Sequence, residues 1–114
     1  TVSVRLRGID TPEKNQPYGK EAKKNLENMV LNKKVAVNVK EIDKYNRLAG
    51  YVSVDGMNVN LEQIKSGFAW AYIEYLDRPY ASEFYDAEKD ARGKGLGLWK
   101  QTNPTPPWEW RKKH

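Results

Sequence analysis

Arg5-Leu6-Arg7-Gly8-Ile9-Asp10-Thr11-Pro12-Glu13 is the stretch on which the reading of this chain turns. Upstream of Gly8, Val2, Val4 and Leu6 alternate with Ser3, Arg5 and Arg7, the period-two pattern of a half-buried strand that sends Arg5 to the face opposite the valines. Gly8 interrupts that pattern. Pro12 and Pro17 then frame a loop, because a proline pushes the residue before it toward extended geometry, so residues 10–17 read as loop.

Working outward, the spacing changes at Gly19. Ala22, Leu26, Met29 and Val30 form an apolar stripe at helical period, with Lys20, Lys23 and Lys24 on the solvated face, which predicts a first helix ending near Asn32. Val35, Val37 and Val39 alternate into a second strand, followed by the charged run Asp43-Lys44-Tyr45-Asn46-Arg47. A third strand begins at Arg47 and runs through Leu48–Val54, meets the hairpin signal Asp55-Gly56 and returns over Met57–Val59. Asn60 with Gln63 reads as a cap for a short helix, Leu61–Ser66, stopped by Gly67. Phe68–Leu76 is aromatic and irregular or extended. A last helix from about Pro79 turns Tyr80, Phe84, Ala87 and Ala91 inward and stops at Gly93 or Gly95. Asn103–Trp110, with three prolines and two tryptophans, is expected to be neither helix nor strand. The class is α+β, a sheet with three helices.

Length and composition restrict the function. A chain of 114 residues predicts one domain, 1–114, with 103–114 as a Pro/Trp-rich extension. Charged residues make up 31%, and no apolar run approaches the roughly 20 residues that cross a bilayer, so no membrane partner is expected. The net charge is +5, and it is asymmetric: up to Met57 there are 11 Lys and Arg against 7 Asp and Glu, and beyond it 9 against 8. The excess sits with the Arg5–Glu13 stretch and suits a polyanionic partner. With no cysteine, and with His114 as the only histidine, thiol nucleophiles, zinc clusters and Ser-His-Asp triads are excluded. Metal ligands can only be oxygens, which favours calcium, magnesium or manganese.

Two carboxylates, Asp10 and Glu13, and two arginines, Arg5 and Arg47, are what metal-assisted phosphodiester hydrolysis requires: the carboxylates hold a hard cation and activate water while guanidinium forks bind phosphate oxygens. Asp10-Thr11-Pro12-Glu13 can also be read as a helix N-terminus, but Lys14-Asn15-Gln16-Pro17 offers no apolar periodicity to propagate. Asp10 suits a metal ligand, with the Thr11 carbonyl as a second oxygen, and the longer Glu13 suits a general base. Arg5 and Arg47 could instead be ordinary surface ion pairs. Tyr45, Trp70, Tyr72 and Tyr75 could stack a base or pack in a loop; Trp99, Trp108 and Trp110 read as packing, and Gly93-Lys94-Gly95-Leu96-Gly97 as a helix stop rather than a phosphate loop.

The order of these motifs, with Pro17-Tyr18-Gly19-Lys20-Glu21-Ala22, Asp55-Gly56-Met57-Asn58-Val59-Asn60 and Lys65-Ser66-Gly67-Phe68-Ala69, resembles the staphylococcal nuclease (thermonuclease) family from about Val4 to Trp99. The closing Pro106-Pro107-Trp108-Glu109-Trp110-Arg111 is similar to bacterial members. The resemblance implies an OB-fold barrel with three helices and calcium-dependent cleavage of DNA and RNA to products with 3'-phosphates. By motif match, Arg5 and Arg47 resemble its phosphate-binding catalytic arginines and Glu13 its catalytic glutamate. Asp10 and the Thr11 carbonyl resemble its calcium ligands, and Lys44 and Tyr45 residues of its nucleotide pocket. Tyr72 and Tyr75 are spaced three apart where the family's tyrosine pair is two apart. Family members begin with two further strands and an Asp-Gly-Asp-Thr type motif that supplies another calcium carboxylate, and these are absent ahead of Thr1. The expectation is a monomer when the domain is complete and a strand-swapped or edge-paired dimer for this chain. Secretion or a periplasmic location follows from the resemblance alone, as no signal peptide is present at Thr1. The alternative class is a domain of the same fold that binds nucleic acid without cleaving it, or an inactive truncated fragment.

Overall fold

In the computed structural model, which describes residues 4–72, 77–78 and 80–114, the alternating N-terminal segment is strand β1 (Val4–Leu6). After Gly8 come β2 (Ile9–Asp10), helix α1 (Gly19–Val30), β3 (Ala36–Ile42), β4 (Leu48–Val54), β5 (Met57–Asn58) and α2 (Val59–Lys65). β6 (Trp70–Ala71), α3 (Tyr80–Lys94), a 3-10 turn at Gly97–Lys100 and α4 (Pro107–Lys113) complete the order.

The main sheet runs β1-β4-β3, with β5 also paired to β4, and β2 pairs antiparallel with β6. β1 lies parallel to β4 with Arg5 opposite Ala49, which brings the N-terminal motif beside the turn that carries Arg47. β3 and β4 are antiparallel, Val37 opposite Val52, with a register shift between Val39 and Glu41 that marks a bulge. The Asp55-Gly56 turn has positive φ at both residues (51° and 80°), the geometry that matches the twist of a two-residue hairpin.

Helix packing supplies the core. Phe84, Ala87 and Ala91 of α3 are buried as the spacing predicted, and Tyr80 is partly buried. With Ile9, Tyr51, Leu61, Ile64, Ala69 and Ala71 the first two form the larger cluster. Val52, Val54 and Val59 form a second, against which Leu26, Met29 and Val30 of α1 pack. No helix among the described residues is long and apolar enough to cross a membrane.

Three expectations are corrected. The cap of α2 is Asn58, whose side chain accepts from the Leu61 N–H at 3.0 Å, so the helix starts at Val59, where the third hairpin residue was expected. Asn60 is instead fully buried: its Oδ1 accepts from Val52 N–H (3.0 Å), and its Nδ2 donates to the carbonyls of Arg7 (2.9 Å) and Gly50 (3.1 Å), joining β1 to β4. The closing segment, expected to be irregular, contains α4, with Pro107 at its first turn, where a missing N–H is harmless. Tryptophans fix it there: Trp108 stacks on Tyr72 at 5.3 Å and meets Trp70 edge-on at 6.1 Å.

Candidate active site

Arg5, Asp10, Glu13, Arg47, Tyr72 and Arg111 line one open cleft of about 590 Å³. The strand pattern explains the first: Arg5 stands exposed on β1 between half-buried Val4 and Leu6, and its side chain makes no ion pair among the described residues. Arg47 flanks Leu48, the register partner of Val4, so the parallel β1–β4 pairing delivers both arginines to the same cleft.

A tight turn holds Arg47. Asp43 Oδ1 accepts from the backbone N–H groups of Tyr45 (2.8 Å) and Arg47 (2.9 Å), and its Oδ2 accepts from Arg47 Nε at 2.6 Å. Asn46 takes the left-handed conformation (φ 61°) that closes the turn. The backbone hydrogen bond from Arg47, with the guanidinium adding to it, holds the Asp43 carboxyl below its ordinary range. Lys44 and Tyr45 project from the same turn, Lys44 Nζ lying 5.2 Å and the Arg47 guanidinium 5.4 Å from the Tyr45 ring, with Tyr45 67% exposed. Neither lines the cleft itself.

Gln16, buried and not anticipated as part of the site, fixes the loop that carries Glu13. Its Oε1 accepts from Glu13 N–H at 2.9 Å, its own N–H donates to the Glu13 carbonyl at 2.9 Å, and its Nε2 donates to the Thr105 carbonyl. Gly19 completes the wrap, because a side chain there would run into the Glu13 carbonyl. The only signal in the sequence was the pair of prolines that framed the loop.

Arg111 is the second unanticipated member. It lies on α4 and pairs through Nη2 with Asp10 Oδ2 at 2.7 Å, through Nη1 with Asp10 Oδ1 at 3.3 Å, and through Nη1 with Glu13 Oε2 at 3.4 Å. The hydrogen bonds to Asp10 push the guanidinium pKa above its ordinary value. Arg7 has a different place. It holds Asp77 at 2.6 Å and lies 3.7 Å from Glu41, while the Tyr51 hydroxyl donates to Asp77 at 3.0 Å. The bond from Arg7 pulls the Asp77 carboxyl down, and burial pushes the Tyr51 hydroxyl up to about 12.

The structure thus brings Arg5, Asp10, Glu13, Arg47 and Tyr72 together. Thr11 lines an adjoining cleft of about 620 Å³ that shares Arg5 and Asp10 with the first. Tyr72 stacks on Trp108, and Tyr75 lies outside the described residues. Among the described residues no group of three carboxylate or imidazole side chains surrounds a point where an ion could sit. Asp10 and Glu13 nevertheless both reach one guanidinium, which stands in for a cation between them. Two carboxylates and a peptide carbonyl are hard oxygen donors of the kind calcium takes, and they fit it in chemical type.

Comparison with known proteins converges on one family. The family model described as staphylococcal nuclease homologue matches residues 3–101. An uncharacterized endonuclease of Haemophilus influenzae is 40% identical over 112 residues, covering 98% of this chain and 61% of that protein. A staphylococcal-like nuclease of Arabidopsis thaliana is 44% identical over 109 residues, covering 96% of this chain and 33% of its own length. A micrococcal nuclease of Shigella flexneri is 36% identical over 121 residues, covering 98% and 69%. The chain therefore spans about a third of the plant relative and about three fifths of the Haemophilus one.

Proposed function

We propose, from the premise that the chain belongs to the staphylococcal nuclease homologue family, that it hydrolyses phosphodiester bonds in nucleic acids and does so in the cleft between β1, β2 and the Asp43–Arg47 turn. The observation that carries this reading is the convergence of Arg5, Arg47 and Glu13, distant in sequence, on that one cleft. Relatives named nuclease or endonuclease support it.

Each residue has a task that its surroundings suit. Arg5, without an ion pair among the described residues, binds a phosphate oxygen directly. Arg47 uses Nε on Asp43 and keeps its Nη nitrogens for the phosphate, and donors fixed in advance favour the charge that builds on phosphorus in the transition state. Glu13 accepts the proton of the attacking water at a carboxylate oxygen, assistance that typically contributes about 10²- to 10⁴-fold. Tyr45, exposed beside Arg47, offers a face for a base, and Lys44 adds positive charge. Calcium held by Asp10 and the Thr11 carbonyl would neutralise phosphate charge and make the water more acidic. Both DNA and RNA are substrates in this reading, because arginine contacts to phosphate read neither the base nor the 2'-hydroxyl, and the products end in 3'-phosphates because the bond from phosphorus to the 5'-oxygen breaks as the water oxygen bonds to phosphorus, the 5'-oxygen leaving as a hydroxyl.

The test is cleavage of single-stranded DNA and of RNA in calcium against EGTA, with the product ends identified. Glu13→Gln is expected to slow cleavage by about 10²- to 10⁴-fold with the unfolding midpoint unchanged. Equal rates for Glu13→Gln and the unaltered protein would remove Glu13 from the chemistry, and a full rate in EGTA would remove calcium.

A further inference from the structure

The carboxylate pair already has a cation. Asp10, whose side chain is 13% exposed, meets the Arg111 guanidinium with both oxygens, and the same guanidinium reaches Glu13. Arg111 is not a loose tail residue that happens to lie nearby. Trp108, three residues earlier on α4, is stacked on Tyr72 and packed against Trp70, while Gln16, which fixes the Glu13 loop, donates to Thr105 just ahead of α4. These contacts hold the guanidinium at the pair as a tethered group, with the high effective concentration that tethering gives.

We propose that Arg111 is an internal counter-cation of the Asp10–Glu13 pair, and that a divalent cation enters the site only in competition with it. The inference rests on the calcium part of the proposed function. A cation at Asp10 competes with Arg111 for the same two oxygens, and where the guanidinium stays nearby the two like charges repel within a few ångströms. Either way the arginine lowers the affinity for the ion, and by linkage the ion loosens the hold of α4 on the pair. With the ion bound, the displaced guanidinium remains in a cleft with Arg5 and Arg47, where it adds a third positive group for a polyanion.

The test is calorimetric titration of the metal-free full chain with calcium chloride, without substrate, for the unaltered protein, Arg111→Gln, Arg111→Lys and Lys112→Gln. Lys112 sits on the same helix and pairs with Glu109 at 3.4 Å, so its variant removes one positive charge without uncovering the carboxylates. Arg111→Gln is expected to bind calcium about tenfold more tightly, since even a screened charge at this range exceeds the 1.4 kcal/mol that a factor of ten represents. Arg111→Lys, which keeps the charge but cannot fork across both oxygens of Asp10, should fall between, and it carries the test if Arg111→Gln does not fold. Lys112→Gln should bind as the unaltered protein does. Equal or weaker binding in the Arg111 variants overturns the exchange, as does an equal gain in Lys112→Gln, which would reduce the effect to net charge. Absence of binding in every variant overturns it too, and in that case the calcium reading itself falls. Binding to the unaltered protein with no change in the variants leaves that reading standing.

Discussion

Replacing Asn60 by leucine tests whether the buried amide joins β1, which carries Arg5, to β4, which follows the Arg47 turn. The side chain is fully buried and makes three hydrogen bonds, to Val52 N–H, Arg7 O and Gly50 O. Leucine has the same number of side-chain heavy atoms and is somewhat bulkier, so no cavity opens and the loss is polar with a crowding cost beside it. The Val52 N–H is left buried without its acceptor, at a cost of about 1–3 kcal/mol. Gly50 O keeps the Arg7 N–H at 2.9 Å and is less affected, whereas the Arg7 carbonyl loses its Asn60 donor. Together these predict about 2–4 kcal/mol, a large share of the roughly 5–15 kcal/mol that holds a domain of this kind. Urea unfolding at neutral pH is the assay. With a slope of about 2 kcal/mol per molar, the midpoint should fall by about 1–2 M with the slope unchanged. Asn58→Ala, which removes the helix cap, should cost only about 1 kcal/mol. A loss below about 0.5 kcal/mol for Asn60→Leu, or one no greater than that of Asn58→Ala, would refute the assignment of Asn60 as the tie between β1 and β4.

Two further outcomes follow from the same geometry. Burial raises the Tyr51 hydroxyl from 10.0 to about 12, so its stabilising contribution is fully present below about pH 10 and is lost as the pH rises toward 12; the unfolding midpoint should drop between about pH 10 and about pH 12, and Tyr51→Phe should flatten that drop. Gly19→Ala places a methyl group against the Glu13 carbonyl, and should destabilise the chain by about 1–3 kcal/mol and slow cleavage as well, measured by urea unfolding and by DNA hydrolysis, because the displaced backbone belongs to Glu13.

Features set by near neighbours could be read from the residues alone. Alternation at Val4–Leu6 and Val35–Val39 gave strands, the stripe from Ala22 to Val30 gave α1, and Asp55-Gly56 gave the hairpin, because each depends on a local period or on a backbone angle that one residue type supplies. Arg5, Asp10, Glu13 and Arg47 were singled out by residue type and spacing, and the structure places them around one cleft.

Where two local readings competed, tertiary packing chose between them. Asn58 and Asn60 are both good caps, and burial of Asn60 against Arg7 and Gly50 decided which one serves. The seven residues of α4 are too few to be helical by propensity, and they are helical where Trp108 finds Tyr72 and Trp70. Arg111 meets Asp10 across a separation of 101 residues, a distance over which periodicity carries no signal. The sequence by itself determined strands β1, β3 and β4, helices α1 and α3 and the residue types that line the cleft, since these follow from local period and side-chain type. The cation that sits between Asp10 and Glu13 was decided only when α4 docked on β6, since that contact depends on aromatic rings at Trp70, Tyr72 and Trp108 that are far apart in the sequence.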